Sequence, residues 1–457
     1  MIVETTSKPR WAVVGGGMLG LTMAHRMAKE GRDVTLIEAA PKIGGLTSVW
    51  ELGDVTWDKF YHVILMTDTN LRSLLEEIEL DDALQWSETK TGFFTDGKMY
   101  SMSNTVEFLS FPPLKLIEKL RLGGTIFLAS KIKNWKRLEK IHVDKWLRRW
   151  SGNGTFKKIW EPLLNAKLGE SYKKTAASFI WAHISRMYKA RRSGLKKEMF
   201  GYVKGGYGTI INRIEKKLIE YGAEIRTNFP ISNVVKNEDG TFTIENANGE
   251  TEIFDRVVMT APSSIVRRIC PLLSDDEMSR LNRIEYLGIV CASMLLKKPI
   301  SPYYVTNITD TWVPMTAVIE MSNIVKPEEL GGQSLVYLPK YLPADHPDFE
   351  KSDEDFKESF LSALEKMHPE FSRDQVIDFK ICRTKHVMAI PTIRYSELLP
   401  PQKTSAEGFY LVNSSYILKG NLNVNETIEI AETAYRDVIS KDNGLPVKVA
   451  ESTTVSV

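Results

Sequence analysis

Residues 11–47, WAVVGGGMLGLTMAHRMAKEGRDVTLIEAAPKIGGLT, read as one strand, turn, helix and strand with a second glycine pair behind it. An apolar run, 12–14, ends in Gly15, Gly16 and Gly17; residues 19–29 then carry helical spacing until Gly31 stops it. The next buried strand is 34–37. Gly15-x-Gly17-x-x-Gly20 therefore falls at a strand-to-helix turn. There Gly15 permits the tight turn, Gly17 lets the backbone approach a pyrophosphate, and Gly20 lets the helix pack close to the strand. The free N–H groups of the helix start face such phosphates. Glu38 ends the second strand, where its carboxylate can accept hydrogen bonds from a ribose diol. A 2′-phosphate would be repelled there, so NADP is disfavoured.

The chain has 457 residues, 43% of them hydrophobic, so it can bury more than one core and two domains are expected. A net charge of +2 gives no reason to expect nucleic acid as a partner. Cys270, Cys291 and Cys382 lie far apart in or beside apolar runs, which suits buried thiols in a reducing compartment. The seven histidines are scattered without metal-ligand spacing, so no metal site is expected. Residues 1–10 lack the apolar stretch of a secretory leader, and no segment reaches the roughly 20 uncharged apolar residues of a membrane span. A cytoplasmic protein is expected, with or without attachment to the inner face of a membrane.

The segment Pro41-Lys42-Ile43-Gly44-Gly45-Leu46-Thr47 closely resembles the second glycine motif of the flavin amine oxidase superfamily, which includes protoporphyrinogen oxidase, phytoene desaturases and UDP-galactopyranose mutase. The resemblance implies FAD in the first site, with this segment beside its pyrophosphate and flavin. It assigns cofactor contacts to Gly15, Gly17, Met18, Leu19, Gly20, Glu38, Ala39, Gly44, Gly45, Leu46 and Thr47. Amine oxidases proper usually carry arginine after the glycine pair; Leu46 stands there, so an amine substrate is not implied.

Beyond this motif, 48–57 reads as a hairpin turning at Gly53-Asp54, and 57–64 leads into a helix over 70–78. The 57–64 region resembles the part of UDP-galactopyranose mutase where a histidine lies near the flavin ring, so His62 is either a structural hydrogen-bonder or a group at the reactive end. Another hairpin turns at Asp96-Gly97. Residues 114–149 hold roughly eleven Lys and Arg against three acids, interleaved with large apolar residues. This basic helical stretch is either a solvated face on packed helices or a surface for an anionic membrane or anionic substrate. Residues 159–169, IWEPLLNAKLG, resemble a segment of flavoproteins from bacterial polysaccharide clusters, and a second basic cluster follows at Arg186, Lys189, Arg191, Arg192, Lys196 and Lys197.

Residues 202–262 return to the first pattern, with an amphipathic helix over 210–221 and an apolar strand over 256–260. The resemblance assigns Ile231 a backbone contact to the adenine and places Ala261 at the strand end beside the cofactor. A strand-rich excursion follows: strands at 286–296, 305–308, 316–320, 335–338 and 380–390, and a helix over 353–367. Residues 388–391 resemble the segment that returns over the flavin, which makes Arg394 and Tyr395 either ligand-facing groups or, for the arginine, a surface ion pair. The strand 408–413 and the helix 424–440 complete the pattern; Asn423 and Glu426 have capping-box spacing. The resemblance points that helix, with Asn423 and Val424 at its start, toward the pyrimidine edge of the flavin, and puts Asn413 where relatives place an acid for the ribityl chain.

The fold expected is α/β: a Rossmann-like FAD-binding domain built from three segments, 1–95, 201–265 and 405–441, with an α+β substrate domain inserted as 96–200 and 266–404, and a loose tail, 442–457. The resemblance implies an FAD-dependent oxidoreductase, with His62, Arg394 and Tyr395 as candidate catalytic residues, that oxidises or desaturates a small-molecule or lipid-linked substrate in polysaccharide or cell-envelope biosynthesis. Three rivals stand beside it: a non-redox nucleotide-sugar mutase on the same fold, a binding protein that keeps FAD structurally, and a dehydrogenase using NAD.

Overall fold

Five short strands, four of them apolar on both faces, form a parallel sheet in the order β3-β2-β1-β4-β5. They are β1 (Arg10–Val14), β2 (Asp33–Ile37), β3 (Glu224–Arg226), β4 (Arg256–Met259) and β5 (Phe409–Leu411). The computed structural model describes residues 8–192, 198–418 and 422–442, with the backbone alone for 189–192. Residues 1–7, 419–421, the expected tail from 443, and Lys196 and Lys197 lie outside the described residues, as do the side chains of Lys189, Arg191 and Arg192.

Strand alternation sorts the side chains into two cores. Trp11, Val13, Leu36, Val258 and Tyr410 pack against helices α1 (Met18–Lys29), α2 (Gly206–Glu220) and α3 (Val424–Asp437). Ala12, Val14, Ile37, Met259 and Leu411 face a three-stranded antiparallel sheet, Ile231–Lys236, Phe242–Asn246 and Thr251–Phe254. Helix α1 can lie tight on the sheet because residue 20 has no side chain: a Cβ there would sit 1.8 Å from the Gly15 carbonyl oxygen. Arg26 of α1 meets Glu432 of α3 at 2.6 Å, and Glu30 meets Tyr435, so residue numbers rise together along the two helices. They are parallel, and both N-termini open at the same end of the sheet.

The second layer is a seven-stranded sheet in the order Val376–Ala389, Tyr286–Leu296, Ser334–Pro343, Ala317–Glu320, Val305–Ile308, Thr91–Thr95, Lys98–Ser101. Residues 290, 292, 294 and 296 of its second strand, Tyr286–Leu296, face a core covered by helix Asp353–Met367. Residues 289, 291 and 295 face Trp57, Phe60 and the hairpin Val49–Leu52/Val55–Asp58. Helices Leu116–Lys131, Val143–Thr155, Glu161–Leu168 and Ala177–Arg192 form a separate core around Trp146, Phe156 and Trp160.

Two expected segment limits move. Strand Thr91–Thr95, assigned above to the first dinucleotide segment, pairs in parallel with Val305–Ile308 and so belongs to the seven-stranded sheet. The limit at 200/201 cuts strand Met199–Val203, which pairs with Ile64–Leu65 and Leu84–Glu88 in a small sheet that periodicity did not suggest. In both cases long-range pairing, invisible to local pattern, decides where the strand goes.

Candidate active site

Because β1 to β5 are all parallel, their carboxyl ends share one edge, the place where open α/β sheets bind ligands. Gly15–Gly17, Glu38, Thr260–Ala261 and Val412–Ser414 all leave the sheet there. The two glycine motifs interlock. The Gly44 N–H donates to the Gly16 carbonyl at 2.7 Å, and a Cβ on Gly45 would come 3.1 Å from the Gly17 Cα. Thr47 Oγ1 donates to the Gly44 carbonyl at 2.7 Å and fixes that turn. A Cβ on Gly17 would meet no protein atom within 4 Å, and the first turn of α1 has no side-chain cap. Free N–H groups and open space thus coincide, as a bound pyrophosphate requires.

Met18 and Leu19 are buried in the core, so only their backbone faces the edge. Glu38 Oε2 accepts from the Gly16 N–H at 2.6 Å and Oε1 from the Ala40 N–H at 2.8 Å. A carboxylate has about four lone-pair sites, so capacity for a diol remains. Exposed Ala39 follows it, and the Phe229 N–H donates to the Glu38 carbonyl at 3.0 Å, which brings the strand beginning at Ile231 alongside. Asn423 Oδ1 accepts from the Glu426 N–H at 3.1 Å and caps α3; the Val424 side chain is buried in the α1–α3 core. These residues fit a dinucleotide cofactor.

Asn413 does not take the role assigned to it. Its side chain is wholly buried: Nδ2 donates to the Ala261 carbonyl at 2.9 Å, and Oδ1 accepts from the Ser415 N–H at 3.0 Å and from Ser415 Oγ. It ties two strand ends together, and half-buried Ser414 is the accessible side chain of that turn. Arg394 and Tyr395 are corrected too. Left-handed backbone at Arg394 (φ 56°) turns the arginine outward, 60% exposed and 3.5 Å from Glu397, and the tyrosine inward. Tyr395 sits in the sheet core, its hydroxyl donating to the Ser415 carbonyl at 3.0 Å.

His62 is half-buried beside Tyr207, the ring centroids 4.8 Å apart, and its neighbour Tyr61 reaches the cleft between Leu46 of the second glycine motif and the seven-stranded sheet. The His62 Nδ1 lies 3.0 Å from the Phe60 carbonyl, which assigns the proton to Nδ1 and leaves Nε2 as an acceptor. Burial lowers its pKa to about 4. Asp58 Oδ2 stands 4.0 Å away. Asp58 is buried, accepts from the Tyr207 N–H at 2.9 Å, and is pushed up to about 8 by burial, with no cation to offset it. Both groups are therefore neutral near pH 7.

Four further residues complete the cleft. Tyr61 and Tyr341 join hydroxyls at 2.7 Å, and Lys167 Nζ lies 3.1 Å above the Tyr341 ring. Burial lowers Lys167 to about 7. The His183 ring is solvent-accessible although protein encloses it, as expected of a cleft wall; enclosure, then Arg186 and Lys167, lower its pKa. Arg186 is itself held by Asp68 through bonds of 2.7 and 3.2 Å. Leu46, Val63 and Met187 pack against the same apolar wall as the two tyrosines. Sequence reading singled out none of Lys167, His183, Tyr61 and Tyr341 for chemistry; the available signal was a lysine inside the apolar run of 163–168.

The family described as flavin containing amine oxidoreductase matches residues 19–422. The 15-cis-phytoene desaturase of Glycine max is 21% identical over 434 residues, covering 87% of this chain and 74% of that protein. In structure the chain is similar to a putative protoporphyrinogen oxidase from Exiguobacterium sp. 255-15, with a TM-score of 0.73 and 19% identity over 94% of this chain and 98% of that one. It is also similar to reduced UDP-galactopyranose mutase, with a TM-score of 0.70 and 15% identity over 96% of each chain.

The raised Asp58 pKa has a stability consequence. The folded chain holds a proton that the unfolded chain releases above its ordinary 3.8, so this contribution to stability is present below about 3.8 and is lost as pH rises through about 8. Asp58→Asn cannot ionise and can still accept from Tyr207. The variant is expected to lose the part of the wild-type fall in stability that occurs between about pH 4 and 8, read from denaturant midpoints across pH. Parallel pH profiles for the two proteins would show that Asp58 ionises freely in the fold.

Proposed function

The chain belongs to the flavin containing amine oxidoreductase family, and from that premise we propose that this FAD-dependent oxidoreductase oxidises or desaturates a small-molecule or lipid-linked substrate held between the glycine cradle and the seven-stranded sheet. One observation carries the reading: Leu46, from the glycine motif that locks onto Gly16, also packs against the wall of the tyrosine cleft, so cofactor cradle and cleft are continuous.

Bound FAD supplies the two-electron acceptor. The first-turn N–H groups of α1 would hold its pyrophosphate and Glu38 its ribose. The positive end of α3, which opens on the same edge, would favour negative charge on a group bound there. His62 offers Nε2 as a proton acceptor, and Tyr61, Tyr341 and their apolar neighbours exclude water from the reacting end. In this reading the substrate arises in cell-envelope polysaccharide biosynthesis, the setting of the flavoproteins whose 159–169 segment this chain resembles.

We also propose that the helical layer docks on an anionic membrane surface. Among the described residues no helix is long and apolar enough to cross a membrane. Helix Leu116–Lys131 nonetheless exposes Leu116, Ile117, Leu120 and Phe127 by 65, 62, 58 and 52% along one stripe. Exposed Lys131, Lys133, Lys136 and Arg137 continue from its end. Apolar insertion beside basic side chains suits an anionic leaflet, each cation contributing on the order of 1 kcal/mol.

Purified protein is expected to be yellow and to release FAD on denaturation, and Gly17→Val to abolish binding by filling the open space over the turn. Turnover should consume one two-electron oxidant per substrate. An isomerised nucleotide sugar formed without oxidant consumption would instead support the mutase, and colourless protein without FAD would overturn the reading. For the membrane, co-sedimentation is expected with anionic but not neutral vesicles, weakened by salt and by changing Lys131, Lys133, Lys136 and Arg137 together to Gln. Equal, negligible sedimentation in every condition would leave the stripe a solvated helical face.

A further inference from the structure

Lys167 lacks what other enclosed lysines of this chain have. Lys340 reaches Asp348 at 2.6 Å, and buried Lys119 reaches the Leu109 carbonyl oxygen at 2.6 Å. Among the described residues no carboxylate forms an ion pair with Lys167, and its close neighbour is the face of Tyr341. A ring face recovers only part of the solvation that an ammonium loses on entering protein. That cost is relieved either by losing the proton, toward which burial pushes Lys167, or by an anion that arrives from outside and keeps the cation.

A second observation points the same way. Tyr61 and Tyr341 share one hydrogen bond between two hydroxyls, and the pair has two protons. Whichever phenol donates, the other keeps a proton with no acceptor among the described residues. The two rings belong to different parts of the chain, the loop after Val55–Asp58 and strand Ser334–Pro343, while Lys167 comes from helix Glu161–Leu168. That helix is anchored where the Thr316 hydroxyl donates to the Ala166 carbonyl at 2.8 Å. Three separate elements thus converge one uncompensated cation and one spare hydroxyl donor on the same cleft.

Resting on the FAD reading above, we propose that the substrate carries an oxyanion, a carboxylate or phosphate, that docks on Lys167 and the Tyr61–Tyr341 pair beside Leu46. An oxyanion accepts the charge-assisted bond from Nζ and the spare phenol proton together. A protonated amine in the same place would meet the like charge of Lys167, and among the described residues no carboxylate forms an ion pair there. The family description names amine substrates, so the chemistry of this cleft separates the chain from that branch, in line with Leu46 after the glycine pair. Lys167 and the tyrosines are here substrate-positioning groups.

The groups facing Lys167 are Tyr341, Tyr61 and, from helix Ala177–Arg192, His183 with Arg186 behind it. Enclosure keeps His183 neutral over the working range, and Arg186 is paired with Asp68 at 2.7 Å. Lys167 is then the cation that is lost as pH rises through about 7.

The test titrates the yellow holoprotein with benzoate, phenyl phosphate and benzylamine, reading the flavin difference spectrum and the melting temperature. One or both oxyanions are expected to perturb the flavin band and raise the melting temperature, and benzylamine to do neither; the stronger of the two anions tells carboxylate from phosphate. Lys167→Met should weaken the anion at least about tenfold, while Lys167→Arg retains it. Binding to wild type should weaken above pH 7, and binding to Lys167→Arg should not. Tyr61→Phe, which leaves Tyr341 free to donate outward, should weaken binding less than Lys167→Met. Flavin content reports folding of each variant. A yellow protein that ignores both anions, or binds them equally well as Lys167→Met, overturns this proposal and leaves the FAD reading intact. A colourless protein fails the FAD reading instead.

Discussion

The 2.7 Å hydrogen bond from the Gly44 N–H to the Gly16 carbonyl holds two turns in contact that are far apart in their roles. One turn starts α1; the other starts the hairpin that leads to Asp58, Tyr61 and His62. Only backbone without side chains can meet this closely, since a Cβ on residue 45 would press on the Gly17 Cα and one on residue 20 would overlap the Gly15 carbonyl. The contact sets the distance between the donor-rich helix end and the cleft. It also explains why Leu46 reaches the apolar wall of the second layer while its neighbours stay at the carboxyl edge of the first. Side chains at any of these positions would push the layers apart by more than a packed interior absorbs.

Charge is handled differently on the two sides of that contact. On the helix side, ionised groups are satisfied: Arg26 joins Glu77 and Glu432, and Glu38 takes two backbone N–H groups. On the cleft side, buried Asp58 and half-buried His62 are neutral near pH 7, since an unpaired buried ion would cost several kcal/mol. Lys167 is the exception, an amine without a carboxylate partner among the described residues that is a cation below about pH 7. An otherwise neutral, half-apolar cleft with one unpaired ammonium is poorly suited to a cationic substrate and well suited to an apolar molecule with an anionic end.

Much of this architecture was legible because it is written in local pattern. The strand, turn and helix of residues 10–29 follow from glycine spacing, and helix Asp353–Met367 and strand Tyr286–Leu296 from apolar periodicity. The cap of α3 followed from Asn423 and Glu426. Other features depend on pairing across the chain. Nothing near residue 91 announces that Thr91–Thr95 will lie beside Val305–Ile308. Asn413 shows the limit for sites: its place in the sequence suited a cofactor contact, but the partners that consume its amide, Ala261 and Ser415, come from two strand ends. Arg394 and Tyr395 were misassigned because one left-handed residue swaps which neighbour faces out. Lys167 is the one basic residue of 163–168, and only the fold shows that its neighbour is the Tyr341 ring.

The claim most exposed to test is that the carboxyl edge of the five-stranded sheet is the cofactor site, with the Glu38 carboxylate turned toward it. The direct measurement is the FAD dissociation constant of apoprotein reconstituted by titration, in wild type, Glu38→Gln and Glu38→Lys. A hydrogen bond to a charged group is worth roughly 1.5–3 kcal/mol, so Glu38→Gln should bind about tenfold to a hundredfold more weakly and Glu38→Lys more weakly still. Equal affinity in all three proteins would contradict the placement of the cofactor on that edge.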